Sequence, residues 1–456
     1  MVKIKNTTKR RFNKNKRSRR VLLGGDVIDS GGYGCVFRPS MSCRVIKELN
    51  VSRTNKVGQV ENYISKIMTR DNAVEEFNIL QTFSNIITNS GYSGMFRYLV
   101  LSDITLCNLN PTREDIQHFN TSCQSLAEKY KSPTMNGLVA LKIPYSGKNL
   151  LKMFNEQRVQ IKPLNRAIIL EYFTKMLKLY TECVYLFYNT SPKIIHGDLK
   201  EENILCTYDP YFTSISGDIK VIDWGLSFTF NPSSSPDEAV NQISRRPLQF
   251  NLPFGILLFS EYFTREYELQ VLRPLANRED TLQSLVEKFC KKYYDDAYFT
   301  AGKDDTKPNV LKDFNNFVYL VMVEADGTIG QKSLTTYIRE NLARILIKYT
   351  YNGKFQRNMY ALDYYLPMVD SYGFMLTYAN VLSYLLHARK NIQPSASYQN
   401  QRSVRNVDTT QLIIFMTEQL KKFCLEFNEK INGKTYRNLM KNSINEMTNL
   451  CNRLLK

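Results

Sequence analysis

The sequence predicts an α+β fold, and three observations carry that prediction. Strand-like runs gather around a glycine-rich turn near the start. From about residue 164 onward, long stretches place apolar residues at helical spacing. The strands therefore come first and the helices later, which suits segregated layers rather than alternating βαβ units. At 456 residues the chain is long enough for two lobes or two to three small domains. Its 43% hydrophobic and 23% charged content is that of a globular protein and argues against wholesale disorder.

Residues 1–22 form a basic tail. Positions 1–20 contain ten Lys or Arg and no Asp or Glu, so they supply more than half of the net charge of +18. A like-charge block repels itself and is expected to be disordered. It suits nucleic acid, an acidic partner or an anionic membrane surface, and equally a solubilising or address-label role. It lacks the apolar core of a secretory signal. No stretch nears the roughly 18 uninterrupted apolar residues of a membrane span. An intracellular location is the expectation.

The elements then follow in order. Residues 21–40 read as strand, glycine-rich turn and strand, with Val, Ile and Phe flanking the glycines. Residues 59–68 read as a further strand and 71–83 as a helix capped by Asp71. Residues 137–145 are strand-like and lead to a turn at Ser146-Gly147. A long helix is expected from Leu164 to Tyr188. Short apolar strands at Ile194-Ile195 and Ile219–Ile222 each run into a charged motif. Segments 280–300, 330–350, 370–390 and 410–430 read as helices, and 231–237 and 391–409 as loops. No internal repeat is visible.

Nine cysteines are present, at 35, 43, 107, 123, 183, 206, 290, 424 and 451. None forms a Cys-x-x-Cys pair and their number is odd, so free thiols in a reducing compartment are expected. Three histidines give little material for a histidine-based metal site.

The chemistry concentrates in Ile195-His196-Gly197-Asp198-Leu199-Lys200-Glu201-Glu202-Asn203-Ile204-Leu205. Phosphoryl transfer to a hydroxyl needs a carboxylate that orients the hydroxyl and accepts its proton, here Asp198. A cation two residues on offsets charge on the phosphoryl group, here Lys200. An amide oxygen five residues on can bind a metal ion, here Asn203. Twenty residues after Asn203, an apolar run delivers Asp223-Trp224-Gly225. Asp223 is the expected main metal-binding residue, with Gly225 permitting the turn. Asp29-Ser30-Gly31-Gly32-Tyr33-Gly34-Cys35-Val36 would let backbone N–H groups approach phosphates closely while Val36 packs on an adenine.

Together these motifs resemble the protein kinase superfamily of serine/threonine type: H-x-D-L-K-x-x-N is matched at every fixed position, and G-x-G-x-x-G-x-V except that Asp29 replaces the first glycine. Gly-Gly-Tyr-Gly-Cys-Val-Phe-x-Pro and Ile-Ser-Lys-Ile-Met are also similar to divergent kinases of large nucleocytoplasmic DNA viruses (mimivirus-like). The resemblance runs from Asp29 to Gly225, with one later landmark. It implies a bilobal protein-kinase-like fold: a β-rich small lobe at 23–145 and a helical large lobe at 146–456. ATP and Mg²⁺ are the implied cofactors, Ser/Thr-bearing proteins the implied substrates, and host cytoplasm or virion the implied location.

The family also implies a strand lysine paired with a helix glutamate. Glu76, in Glu76-Phe77-Asn78-Ile79-Leu80-Gln81, fits the glutamate. Lys66 and Lys47 both compete for the lysine. Lys66 is preferred because it lies 10 residues before Glu76 rather than 29. Gly31, Gly32, Gly34 and Val36 complete the expected nucleotide site, and Ile143–Gly147 resembles the hinge between lobes.

Two departures bear on regulation. Gly197 stands where many kinases carry an arginine that binds an activation-loop phosphate, so activity is expected not to require phosphorylation at Ser233, Ser234 or Ser235. No Ala-Pro-Glu follows Asp223; Arg246-Pro247-Leu248-Gln249 lies in its place, and Gln249 cannot form the usual glutamate–arginine pair. The later landmark, Asp370-Ser371-Tyr372-Gly373, resembles a buried helix start whose Asp holds the catalytic-loop backbone, or else is an ordinary capped helix. It lies 147 residues past Asp223, which implies a helical insertion at about 255–360.

Other readings carry weight. A catalytically weak kinase-like scaffold, or a virion protein with a nucleic-acid-binding tail, would have no physical need for Asp198, Lys200, Asn203 and Asp223. A small-molecule kinase would commonly lack Lys200. The 25 Phe and 29 Tyr are able to stack bases, yet no RNA-binding signature is present.

Overall fold

A computed structural model describes residues 25–30, 34–46, 62–124, 126, 128, 135–159, 166–208, 214–233, 236–246, 249–301, 316–325, 334–390, 409–428 and 430–455. The basic tail, Gly31, Gly32 and Tyr33, Lys47, Ser234 and Ser235, Pro247 and Leu248, and residues 391–408 of the loop expected at 391–409 lie outside the described residues. The fold is mixed α+β. The chain divides into two compact units, residues 1–74 with 103–145, and residues 75–102 with 146–456. The sequence-based partition at 145/146 does not anticipate that 75–102 belongs with the second unit.

The first unit is built on a six-stranded antiparallel sheet in the order β1-β2-β4-β6-β5-β3. Its strands are β1 (Asp26–Ser30), β2 (Cys35–Arg38), β3 (Cys43–Val45), β4 (Tyr63–Thr69), β5 (Thr105–Leu109) and β6 (Leu138–Pro144). The register puts Cys35, Ile67, Ala140 and Cys107 in one row across four strands. All four join one buried cluster with Phe37, Phe119 and Leu138. Strand periodicity places the next row, Val36, Lys66, Leu141 and Leu106, on the opposite face. Helix α2 (Arg113–Ser122) sends Phe119 into the cluster and starts with a full capping box between Thr112 and Asp115.

The cysteines of this unit correct the free-thiol expectation. Cys35 is bonded to Cys123 and Cys43 to Cys107, with Cα separations of 5.9 and 5.6 Å. Sequence separations of 88 and 64 residues leave no local spacing to read. Only the tertiary fold brings these partners within bonding reach: Cys43 and Cys107 lie on the neighbouring strands β3 and β5, and Cys35 on β2 meets Cys123 at the end of α2.

Helix α1 (Arg70–Asn89) overruns the predicted 71–83 at its C-terminal end. Its first turn is capped by Thr69 Oγ1, which accepts from the Asn72 N–H at 3.2 Å; Asp71 lies inside the helix. It ends where Gly91 adopts φ +75°, with Gly91 N–H donating to Thr88 O and Tyr92 N–H to Ile87 O. That pattern is a Schellman termination.

In the second unit, helix Arg166–Leu179 continues through a π-helical turn to Phe187 and packs against the C-terminal helix Gly433–Leu455. Every residue of helix Leu366–Leu376 is buried. Strand β7 (Lys148–Asn149) and strands β9 (Ile204–Tyr208) and β10 (Ile215–Val221) form a small sheet, and β8 (Lys193–Ile195) pairs with β11 (Phe228–Phe230). The described residues between 255 and 360 are largely helical, as at Leu282–Ala301 and Leu334–Tyr349, and group with the rest of this unit. Helix Pro236–Ser244 replaces the end of the loop expected at 231–237. Among the described residues no helix is long and apolar enough to cross a membrane.

Candidate active site

The loop from Ile195 to Asn203 leaves β8 and returns to β9 through a tight turn at Glu201–Asn203. Its backbone is fixed from a distance. The carboxylate of Asp370 accepts the N–H of His196 at 2.9 Å and of Gly197 at 2.7 Å. Asp370 lies inside helix Leu366–Leu376 rather than at its start, so it acts as a buried bracket and not as a cap. Burial pushes its carboxyl upward, while the neighbouring imidazole and the two N–H donors pull it back. Gly197 has φ +70°, a conformation that glycine adopts without a Cβ penalty.

His196 is fully buried. Its Nε2 lies 3.1 Å from Ile222 O, and its Nδ1 lies 3.3 Å from the Asp198 N–H. These partners assign the neutral tautomer with the proton on Nε2, and burial pushes the imidazole pKa down. The ring thus clasps this loop to the residue before Asp223.

Asp198 is 4% exposed. Its Oδ1 accepts from Lys200 Nζ at 3.1 Å and from Asn251 Nδ2 at 2.9 Å. Its Oδ2 accepts from Lys200 Nζ at 3.0 Å and from Asn203 Nδ2 at 3.0 Å. Asn203 Nδ2 also donates to the main-chain oxygen of Asp198 at 2.8 Å. The amide nitrogen is thereby committed to Asp198, and the amide oxygen is the atom suited to a metal ion.

Strand β10 delivers Asp223 beside this loop, because the Ile222 N–H donates to Asn203 O at 3.0 Å. Asp223 has φ +64°, a left-handed conformation rare for a residue with a side chain and concentrated at functional sites. The sequence reading assigned the turn to Gly225, but Asp223 itself carries the unusual backbone. Trp224 is 2% exposed and packs on Phe83 at 5.1 Å, Phe187 at 5.7 Å and His196 at 4.6 Å between ring centroids. Phe83 belongs to the 75–102 segment. That segment is further held by the Val221 N–H donating to Tyr98 O at 2.8 Å and by Tyr98 Oη donating to Glu182 at 2.5 Å.

Of the residues expected from sequence, Asp198, Lys200 and Asn203 meet directly, and Asp223 joins them through the main chain. Gly34, Val36 and Lys66 form a second group within the first unit. Val36 and Lys66 are paired across β2 and β4, and a Cβ placed on Gly34 would sit 3.5 Å from the Lys66 side-chain carbons. Gly31, Gly32 and Lys47 lie outside the described residues. Glu76 is buried on α1 in the second unit.

Two residues beside the loop escape a motif reading. Asn251 has no flanking pattern. Arg246 was read only as part of a degenerate Ala-Pro-Glu, yet a Cβ on Gly197 would lie 2.9 Å from its Nη1. The Arg246 guanidinium thus lies directly beside Gly197. Among the described residues no cluster of three or more His, Cys, Asp or Glu side chains could hold a metal ion. No protein-family model matches the chain, and no curated protein matches it.

Proposed function

We propose that the chain is an ATP- and Mg²⁺-dependent protein kinase of bilobal fold that transfers the γ-phosphoryl group to Ser/Thr hydroxyls. The observation that carries this reading is the Asp198 carboxylate, nearly buried yet held by one lysine and two amides, with Asp223 tied to the same loop. Asp198 orients the hydroxyl and takes its proton; Lys200 turns toward the transferring group. Lys66 suits the α- and β-phosphates, Val36 the adenine, and the backbone at Gly31, Gly32 and Gly34 the phosphate oxygens; Glu76 is the proposed partner of that lysine.

The donor set suits Mg²⁺, a hard cation that takes one or two protein oxygens and fills its shell with phosphate oxygens and water. Asp223 would give a carboxylate oxygen and Asn203 an amide oxygen. Bound there, the ion supplies charge neutralisation on the β- and γ-phosphates.

The Asp-Leu-Lys order favours Ser/Thr over Tyr acceptors through family resemblance. The basic residues 1–20 suit recruitment of nucleic acid or an acidic partner, and a viral origin with action in host cytoplasm or virion follows from the narrower resemblance. The direct test is transfer of label from γ-labelled ATP with Mg²⁺ to generic protein substrates, followed by phosphoamino-acid analysis. Phosphoserine or phosphothreonine is expected. Saturable ATP binding with no transfer to any protein would instead support the kinase-like scaffold.

A further inference from the structure

We infer that Asn251 is a positioning residue for Asp198, an inference that rests on the kinase reading above. Asn251 lies 53 residues beyond Asp198 in sequence and is 3% exposed. Its Nδ2 donates to Asp198 Oδ1 at 2.9 Å and to Leu199 O at 3.1 Å, so one amide group grips two successive residues of the catalytic loop.

The distribution of donors gives this contact its purpose. A carboxylate offers about four lone-pair sites, and in this structure Lys200 takes one on each oxygen. When Lys200 turns to the phosphoryl group, Oδ2 keeps the Asn203 amide and Oδ1 keeps the Asn251 amide. The carboxylate plane stays fixed, and each oxygen retains a lone pair for the incoming hydroxyl. Without Asn251, Oδ1 would lose its last fixed donor at the moment of transfer, and the carboxylate could rotate about its Cβ–Cγ bond.

The support for Asn251 is built into the same buried helix that holds the loop. A Cβ on Gly373 would collide with the main-chain oxygen of Leu199 and lie 3.2 Å from that of Asn251. A glycine there lets both segments close onto helix Leu366–Leu376, three residues from the Asp370 bracket.

The test compares wild type with Asn251→Leu, which keeps the approximate shape and removes the donor, and with Asn251→Asp, which keeps the shape and replaces the donor by an acceptor. The readouts are kcat, KM for ATP and thermal midpoint. Each variant should lose about 10²-fold in kcat, the scale of a misplaced catalytic group, with KM for ATP within about twofold. A merely structural residue would instead lower the midpoint and the fraction able to bind ATP, leaving kcat per ATP-binding molecule unchanged. Wild-type kcat per binding site in either folded variant overturns the inference alone. Absence of transfer in the wild type overturns the kinase reading, and the inference with it.

Discussion

The Ile195–Asn203 loop and the β1–β2 hairpin are both short motifs, yet they are held in different ways. The hairpin is held by main-chain pairing and a covalent bond: β1 pairs antiparallel with β2, with a register shift between Val27 and Asp29, and Cys35 is bonded to Cys123 at the end of α2. The loop is held by polar side chains: His196, Lys200 and Asn203 from within it, and, from far away in sequence, Asp370 on the main chain and Asn251 on the carboxylate. A motif that must present free backbone N–H groups can rest on a sheet. One that must present a charged side chain at low exposure needs a polar bracket, because each buried N–H and carboxylate oxygen has to find a partner.

The largest expected effect breaks that bracket. Asp370→Ala leaves two buried N–H groups without an acceptor, at about 1–3 kcal/mol each. Urea unfolding should show a loss of about 2–6 kcal/mol together with loss of transfer activity. A loss below about 1 kcal/mol would show that water replaces the carboxylate and that the loop stands unaided.

The hairpin should lose less. Replacing both Cys35 and Cys123 by Ala removes a link between residues 88 apart and should lower stability by about 2–4 kcal/mol. Wild type in reductant should show a fall in thermal midpoint in the same direction. A midpoint insensitive to both changes would mean that strand pairing alone holds the hairpin.

The smallest effect is a pH dependence within the loop. Glu201 is pushed up to about 7, first by burial and then by the charge of Glu202, while Asn380 donates to it at 2.7 Å. Its folded pKa lies above the ordinary value near 4.3, so its contribution to stability is full below about pH 4 and lost as pH rises through 7. The thermal midpoint should therefore fall between pH 5 and 8, and Glu201→Gln should flatten that slope. Superimposable curves for the two proteins would remove Glu201 as the cause.

The same contrast explains what could be read in advance. The α+β class and the contiguous set Asp198, Lys200 and Asn203 were legible because periodicity and spacing are local properties. Asp370 was legible only as one of two readings, since a buried Asp and a helix cap look alike until the partner amides are known. The disulfides escape a reading from spacing because partners 88 and 64 residues apart meet only in the folded chain. Asn251 was invisible, as an asparagine in an irregular segment carries no signal until the fold brings its amide to Asp198. The π-helical turn at Tyr180–Val184 was equally hidden, since one extra residue in a helical turn barely disturbs an apolar pattern.

The central claim is that Asp198 serves phosphoryl transfer, and the most direct test sets wild type against Asp198→Asn with γ-labelled ATP, Mg²⁺ and a Ser/Thr protein substrate, measuring ATP binding in parallel. The account predicts transfer by the wild type, a loss of about 10²–10⁴-fold in the variant, and ATP binding retained in both. Equal transfer by the two proteins, or saturable ATP binding with transfer by neither, would contradict it.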